Sequence, residues 1–152
     1  MTIRTSTGFA ADLAVTGSMK ALMDGGSIKV YDGTEPATAD AAEAGSVIWE
    51  IKKDDEAEGV EGLVFKDTAD GRSLIKPSAD TWGGATSSGT ATYWRLVKDT
   101  DDGMEATDQP RVQGNCGSTA GSDLYMSNTT LAEDTDVLAK TLAAFSMTLP
   151  AS

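Results

Sequence analysis

Short runs of alternating apolar and polar residues, cut repeatedly by glycine, proline and aspartate, restrict this chain to brief strands joined by many turns. The strongest run is TATYWRLVKD, residues 90–99, where Trp94 and Leu96 alternate with Tyr93, Arg95 and Val97. In SVIWEIKK, residues 46–53, Val47, Trp49 and Ile51 share one face and Ile48, Glu50 and Lys52 the other. In SIKVYDG, Ile28 and Val30 alternate with Lys29 and Tyr31, and Asp32 and Gly33 supply a turn. Leu63–Phe65, Ser73–Lys76, Arg111–Asn115 and Leu124–Ser127 read as further short strands, and Pro77 stops the second of these. The acidic stretch 54–62 and the turn region 100–110 read as loops. So does the Gly/Ser/Thr-rich stretch 78–90, which would hold Trp82 exposed or half-buried.

Two regions depart from the strand pattern. Gly8–Asp24 reads as helical, because Phe9, Leu13, Met19, Leu22 and Met23 fall roughly on one face. Ser6 or Thr7 would cap it, Gly17 would divide it, and Gly25 and Gly26 would end it. Near the C-terminus, Leu138, Leu142, Phe145 and Leu149 have helical spacing, whereas Phe145, Met147 and Leu149 also alternate as a strand would. Periodicity alone leaves both open. The expected fold class is mostly β: a β-sandwich or jelly-roll-like barrel of about seven or eight short strands with an N-terminal helix. Residues 1–7 read as a short, polar, flexible arm, and 8–152 as a single β-rich domain.

Composition narrows the chemistry. There is no histidine and only one cysteine, Cys116, so neither an imidazole-activated serine or cysteine nor a zinc site of His/Cys type can be assembled from this chain. No intramolecular disulfide is possible; Cys116 reads as a buried thiol, or else as half of a disulfide between subunits. ATSSG, around Ser87, has only a faint likeness to a nucleophile elbow and lacks a base. No phosphate-cradling glycine motif is present. Neither acidic turn, at 66–74 or 97–108, fits the calcium-loop pattern. Asp99, Asp101 and Asp102 read as a solvated acidic turn, with a loose calcium site as the sharper alternative. The sequence thus points away from an enzyme and implies no metal or other cofactor. Acidic residues number 24 against 12 basic, a net charge of −12, which opposes nucleic-acid binding. No stretch approaches the length of an apolar membrane span, and Asp12 interrupts any signal-peptide core, so the expected site of synthesis is a cytoplasm.

The string SIKVYDGTEPATADAAEAGSVIWEI resembles a recurrent segment of small virion proteins of tailed siphophages. The likeness rests on Ile28, Val30, Tyr31, Gly33, Pro36, Ala39, Asp40, Ala41, Ala42 and Gly45, then Val47 and Ile48. RTSTGFAADL is similar to that family's opening helix, TATYWRLVKD and RVQGNCG to its central strands, and FSMTLP to its closing strand. Residues 54–62 and the composition of VLAKTLAAF depart from the family's pattern. The resemblance implies an auxiliary head protein, a capsid decoration or cement protein encoded near the major capsid protein. Such a protein binds the outer surface of the assembled lattice and stabilises the head. Its implied partners are the major capsid protein and further copies of itself, as trimers, with no nucleic acid and no membrane. A tail or neck subunit, or a surface adhesion module, is the alternative. The candidate contact residues are Thr2, Ile3, Arg4 and Thr5 in the arm, and Trp82.

Overall fold

The computed structural model describes residues 3–55, 59–136 and 138–149. The chain opens with β1 (Arg4–Thr5), α1 (Thr7–Thr16) and α2 (Met19–Met23). There follow β2 (Ser27–Tyr31), β3 (Val47–Asp55), β4 (Gly59–Glu61), β5 (Ser73–Ile75), β6 (Thr81–Gly84) and β7 (Gly89–Thr90). The second half adds β8 (Tyr93–Val97), β9 (Arg111–Gly117), β10 (Leu124–Tyr125), β11 (Thr130–Leu131), β12 (Lys140–Thr141) and β13 (Ser146–Thr148). The fold is mostly β with an N-terminal helix, and sandwich-like, as the alternation predicts. The main sheet has the order β1-β9-β8-β2-β3-β6-β12, with β4 paired to β3, all antiparallel, and β10 running parallel to β9. Two small ribbons, β11–β7 and β13–β5, complete it.

Register gives the sheet two different faces. Val30 lies opposite Trp94 and Trp49, and Ile28 opposite Leu96 and Ile51. This apolar face packs against Phe9, Met19, Leu22, Met23, Leu74 and Met147 in one core. At its centre Phe145 meets three rings, with centroids 5.9 Å from Trp94 and 6.2 Å from both Trp82 and Phe65. Phe65 also stands edge-on to Trp82 at 5.3 Å. Such pairs add to the area term of burial.

Several sequence expectations are corrected. Residues 3–7 are not a free arm: Arg4 and Thr5 pair with Gln113 and Val112. Ser6, 2% exposed, then caps α1. Its hydroxyl accepts from the Phe9 and Arg111 amides and donates to the Gln109 carbonyl. Backbone pairing and a cap need no apolar pattern, so hydrophobic periodicity is blind to them. Thr2 lies outside the described residues. The helix is divided as Gly17 suggests; this residue takes φ 69° as the α1 cap.

Trp82 is the largest correction. It is 0% exposed in a strand, not on a surface loop, and is therefore withdrawn as a contact residue. The following glycines signal close approach rather than a turn. A Cβ on Gly84 would lie 1.9 Å from the Glu50 carbonyl oxygen, and one on Gly83 2.6 Å from that of Lys140. The acidic stretch 54–62 is also not simply a loop, since Lys53–Asp55 pair with Gly59–Glu61. Leu63 and Phe65 are buried as alternation predicts, but lie outside any strand. Their amides bond the Gly26 carbonyl and the Asp24 carboxylate. Near the C-terminus, 146–148 is a strand, and the helical spacing from Leu138 onward corresponds to no helix.

Trp82→Ala should therefore destabilise the fold by about 3–5 kcal/mol, as deletion of a buried indole does. Urea denaturation checks this; a change below about 1 kcal/mol would place the ring outside the core.

Candidate functional site

The second face of the main sheet is polar, and it is covered over β8 and β9, where Arg95, Arg111 and Gln113 are buried. One register row runs Glu50, Lys29, Arg95, Gln113, Arg4 across β3, β2, β8, β9 and β1. The next pairs Tyr31 with Tyr93, whose rings stack at 4.6 Å, and a third carries Ser27, Val97 and Arg111. Arg95, Arg111 and Gln113 are each at most 1% exposed. Residues 32–46 form a strap over these side chains. Its ends are tied where the Asp32 and Ser46 amides bond the Ser46 carbonyl and the Asp32 carboxylate. Gly45 takes φ 80° there, against the Gly33 backbone.

The anchors of the strap come from the sheet below, the loop beside it and the start of α1. Arg111 donates to Asp101 through Nε at 2.6 Å and Nη2 at 2.7 Å. Its Nη2 also donates to the Met104 carbonyl at 2.7 Å, and Nη1 lies 3.4 Å from the carbonyls of Ala39, Asp40 and Ala41. Gln113 Nε2 donates to the Pro36 carbonyl at 2.8 Å. The Tyr93 hydroxyl accepts from the Ala44 amide and donates to the Ala44 carbonyl. The Tyr31 hydroxyl donates to Glu43. Asp40 reaches outward to accept from the amide and hydroxyl of Thr7, at the start of α1, where a carboxylate complements the helix dipole. The Glu43 and Ala106 amides tie the strap to the 101–106 loop.

Burial raises the pKa of Tyr31, helped by Glu43, and that of Tyr93, so both phenols stay protonated donors. Burial alone would push the Asp101 carboxyl up, but the hydrogen bonds from Arg111 and the Gly103 amide outweigh it and hold the pKa below its ordinary value. Asp101 is thus an internal counter-ion rather than a solvated turn residue. Asp102 accepts from the Met104 amide, and Asp99 lies 3.7 Å from Lys52. Among the described residues no cluster of acidic and cysteine side chains is placed to hold a metal.

The remaining chemistry is dispersed. Ile3 is half-buried against the core, Arg4 pairs with Glu35 at 2.6 Å, and Thr5 is exposed on the edge strand. They share the sheet edge; Trp82 does not join them. A cleft of about 350 Å³ between β3 and β6 brings Ser87 near Glu50, Lys52 and Asp54. Lys52 is ion-paired there, 3.8 Å from Glu50. A second cleft, about 420 Å³, runs between Tyr125 and the segment Lys140–Ser146. Cys116 is half-buried, and its thiol is pushed up to about 12 by burial, with Glu35 and Asp123 adding to the shift. The functional feature missed by sequence reasoning is the strap's polar floor; its one legible sign is a pair of arginines, Arg95 and Arg111, inside strands.

No family model, curated protein or solved structure matches this chain.

Two outcomes follow. Asp101→Asn should cost about 3–5 kcal/mol near pH 7, because it leaves Arg111 buried without its counter-charge. With a depressed native pKa, Asp101 stabilises fully above the ordinary carboxylate range near pH 4 and loses that contribution as pH falls through its native pKa. Urea titrations across that range should show a shallower acid limb in the variant. Cys116 should react with a thiol reagent at about pH 8 far more slowly in the native than in the unfolded chain, since little of it is thiolate. Equal rates would contradict the burial.

Proposed function

We propose that this chain is a structural subunit of a tailed-bacteriophage particle that binds the outside of the assembled capsid lattice and holds neighbouring subunits together. One observation carries the reading. The segment that resembles small phage virion proteins is the segment clamped over the polar floor, and its distinguishing positions have structural tasks. Pro36, Ala39 and Ala41 offer carbonyls to buried donors, Asp40 meets α1, and Gly45 closes the strap. The likeness therefore falls on a segment whose backbone is held by buried donors, and this supports the reading.

The surface chemistry suits that role. A net charge of −12 keeps many copies soluble and disfavours contact with packaged nucleic acid. The contact edge in this proposal is β1, with Ile3, Arg4 and Thr5. It is the terminal strand of the sheet, paired to β9 on one side and to no other strand among the described residues, an edge that a neighbour's backbone could extend. Specific contacts of about 1,200–2,000 Å² each suffice when many act together. The partners proposed are the major capsid protein and other copies of this chain, as trimers.

Quantitative mass spectrometry of purified particles tests the proposal. A copy number equal to that of the major capsid protein, or a simple fraction of it, is expected. A handful of copies per particle would move the protein to the neck or tail, and absence would overturn the virion assignment.

A further inference from the structure

Arg95 lies at the middle of the strapped face and is 1% exposed. Its Nε donates to Gln113 Oε1 at 3.0 Å, while neither Nη1 nor Nη2 has an acceptor among the described residues. No carboxylate of the layer accepts from either Nη atom: Asp101 bonds Arg111, Glu35 bonds Arg4 and Gln113, Glu43 the Tyr31 hydroxyl and Glu50 the Ser27 hydroxyl. The Tyr93 ring, 6.0 Å from the guanidinium carbon, offers only its π face. Lys29 stands opposite Arg95 in the β2–β8 register and opposite Glu50 in the β2–β3 register, so the row offers Lys29 a carboxylate neighbour and Arg95 none.

A guanidinium cannot escape this position by losing its proton. Burial does lower its pKa, but from a value far above neutrality. An apolar side chain of similar volume would be the more stable choice if the charge served nothing. We propose that Arg95 binds a small monovalent inorganic anion of chloride size beneath the strap. The Nη N–H groups donate to the anion, which supplies the acceptor they lack among the described residues. Because Gln113 joins Arg95 to Pro36, the bound anion also helps hold the strap to β8 and β9.

The test compares urea denaturation in sodium chloride and in sodium gluconate at equal ionic strength, where general screening of the acidic surface is the same. Above the dissociation constant, each tenfold rise in chloride should raise the folding equilibrium constant tenfold, with no such response to gluconate. Arg95→Gln should abolish the difference. An equal response to both salts in the unmodified protein, or a chloride response that persists in Arg95→Gln, would overturn the proposal. Should Arg95→Gln fail to fold, crystals of the unmodified protein soaked in bromide decide the matter. An anomalous peak within hydrogen-bond reach of the Arg95 Nη atoms is expected, and water alone at that position would refute the anion site.

Discussion

The buried ion pair between Arg111 and Asp101 is the interaction on which the rest of this structure depends. Both charges leave water, and Arg111 has 0% exposure, so their mutual attraction offsets the desolvation only because the geometry is bidentate and the spare donors are used. Those spare donors meet the Met104 carbonyl and three carbonyls of the strap. Arg111 therefore ties β9, the 101–106 loop and residues 39–41 together through one side chain. Its amide also bonds Ser6, which brings the start of α1 to the same point.

The two faces of the sheet do different work. On one, aromatic and aliphatic groups pack around Phe145 and supply most of the driving force by leaving water. On the other, directional hydrogen bonds from Tyr31, Tyr93, Arg111 and Gln113 select one position for a glycine- and alanine-rich strap. A segment with so few large side chains cannot hold itself to a sheet by hydrophobic burial alone. Its carbonyls and amides are its main handles, and the floor offers complementary groups. This division explains how a chain with only 6% aromatic residues fixes a long connection in a single conformation.

Legibility in the sequence followed the same division. Trp94 and Leu96, Val30 and Ile28, and the caps of α1 were readable because alternation and capping leave local signatures. Arg95 and Arg111 were not placed: a charged residue opposite an apolar one in a strand looks the same whether it faces solvent or a covering strap. Asp101 resembled its exposed neighbours for the same reason, since nothing local in the acidic turn marks which carboxylate meets Arg111. Trp82 misled because glycines required for close backbone approach look like turn glycines until the opposing strands are known. The N-terminal residues misled because their order comes from backbone bonds to β9.

The strap matters beyond architecture, because the proposed virion role rests on this segment. If that segment is the fold's fixed point, it should be as firmly held as the strands beneath it. Native-state hydrogen exchange across a denaturant series measures this directly at the amides of Glu43, Ala44 and Ala106, which donate to Gly103, Tyr93 and Asp40. These three amides should open only with global unfolding, on the same isotherm as the amides of β2 and β8. Exchange through a local opening, at a free energy well below the global value and with those strands still protected, would show that the buried polar floor does not hold the strap and would contradict the account.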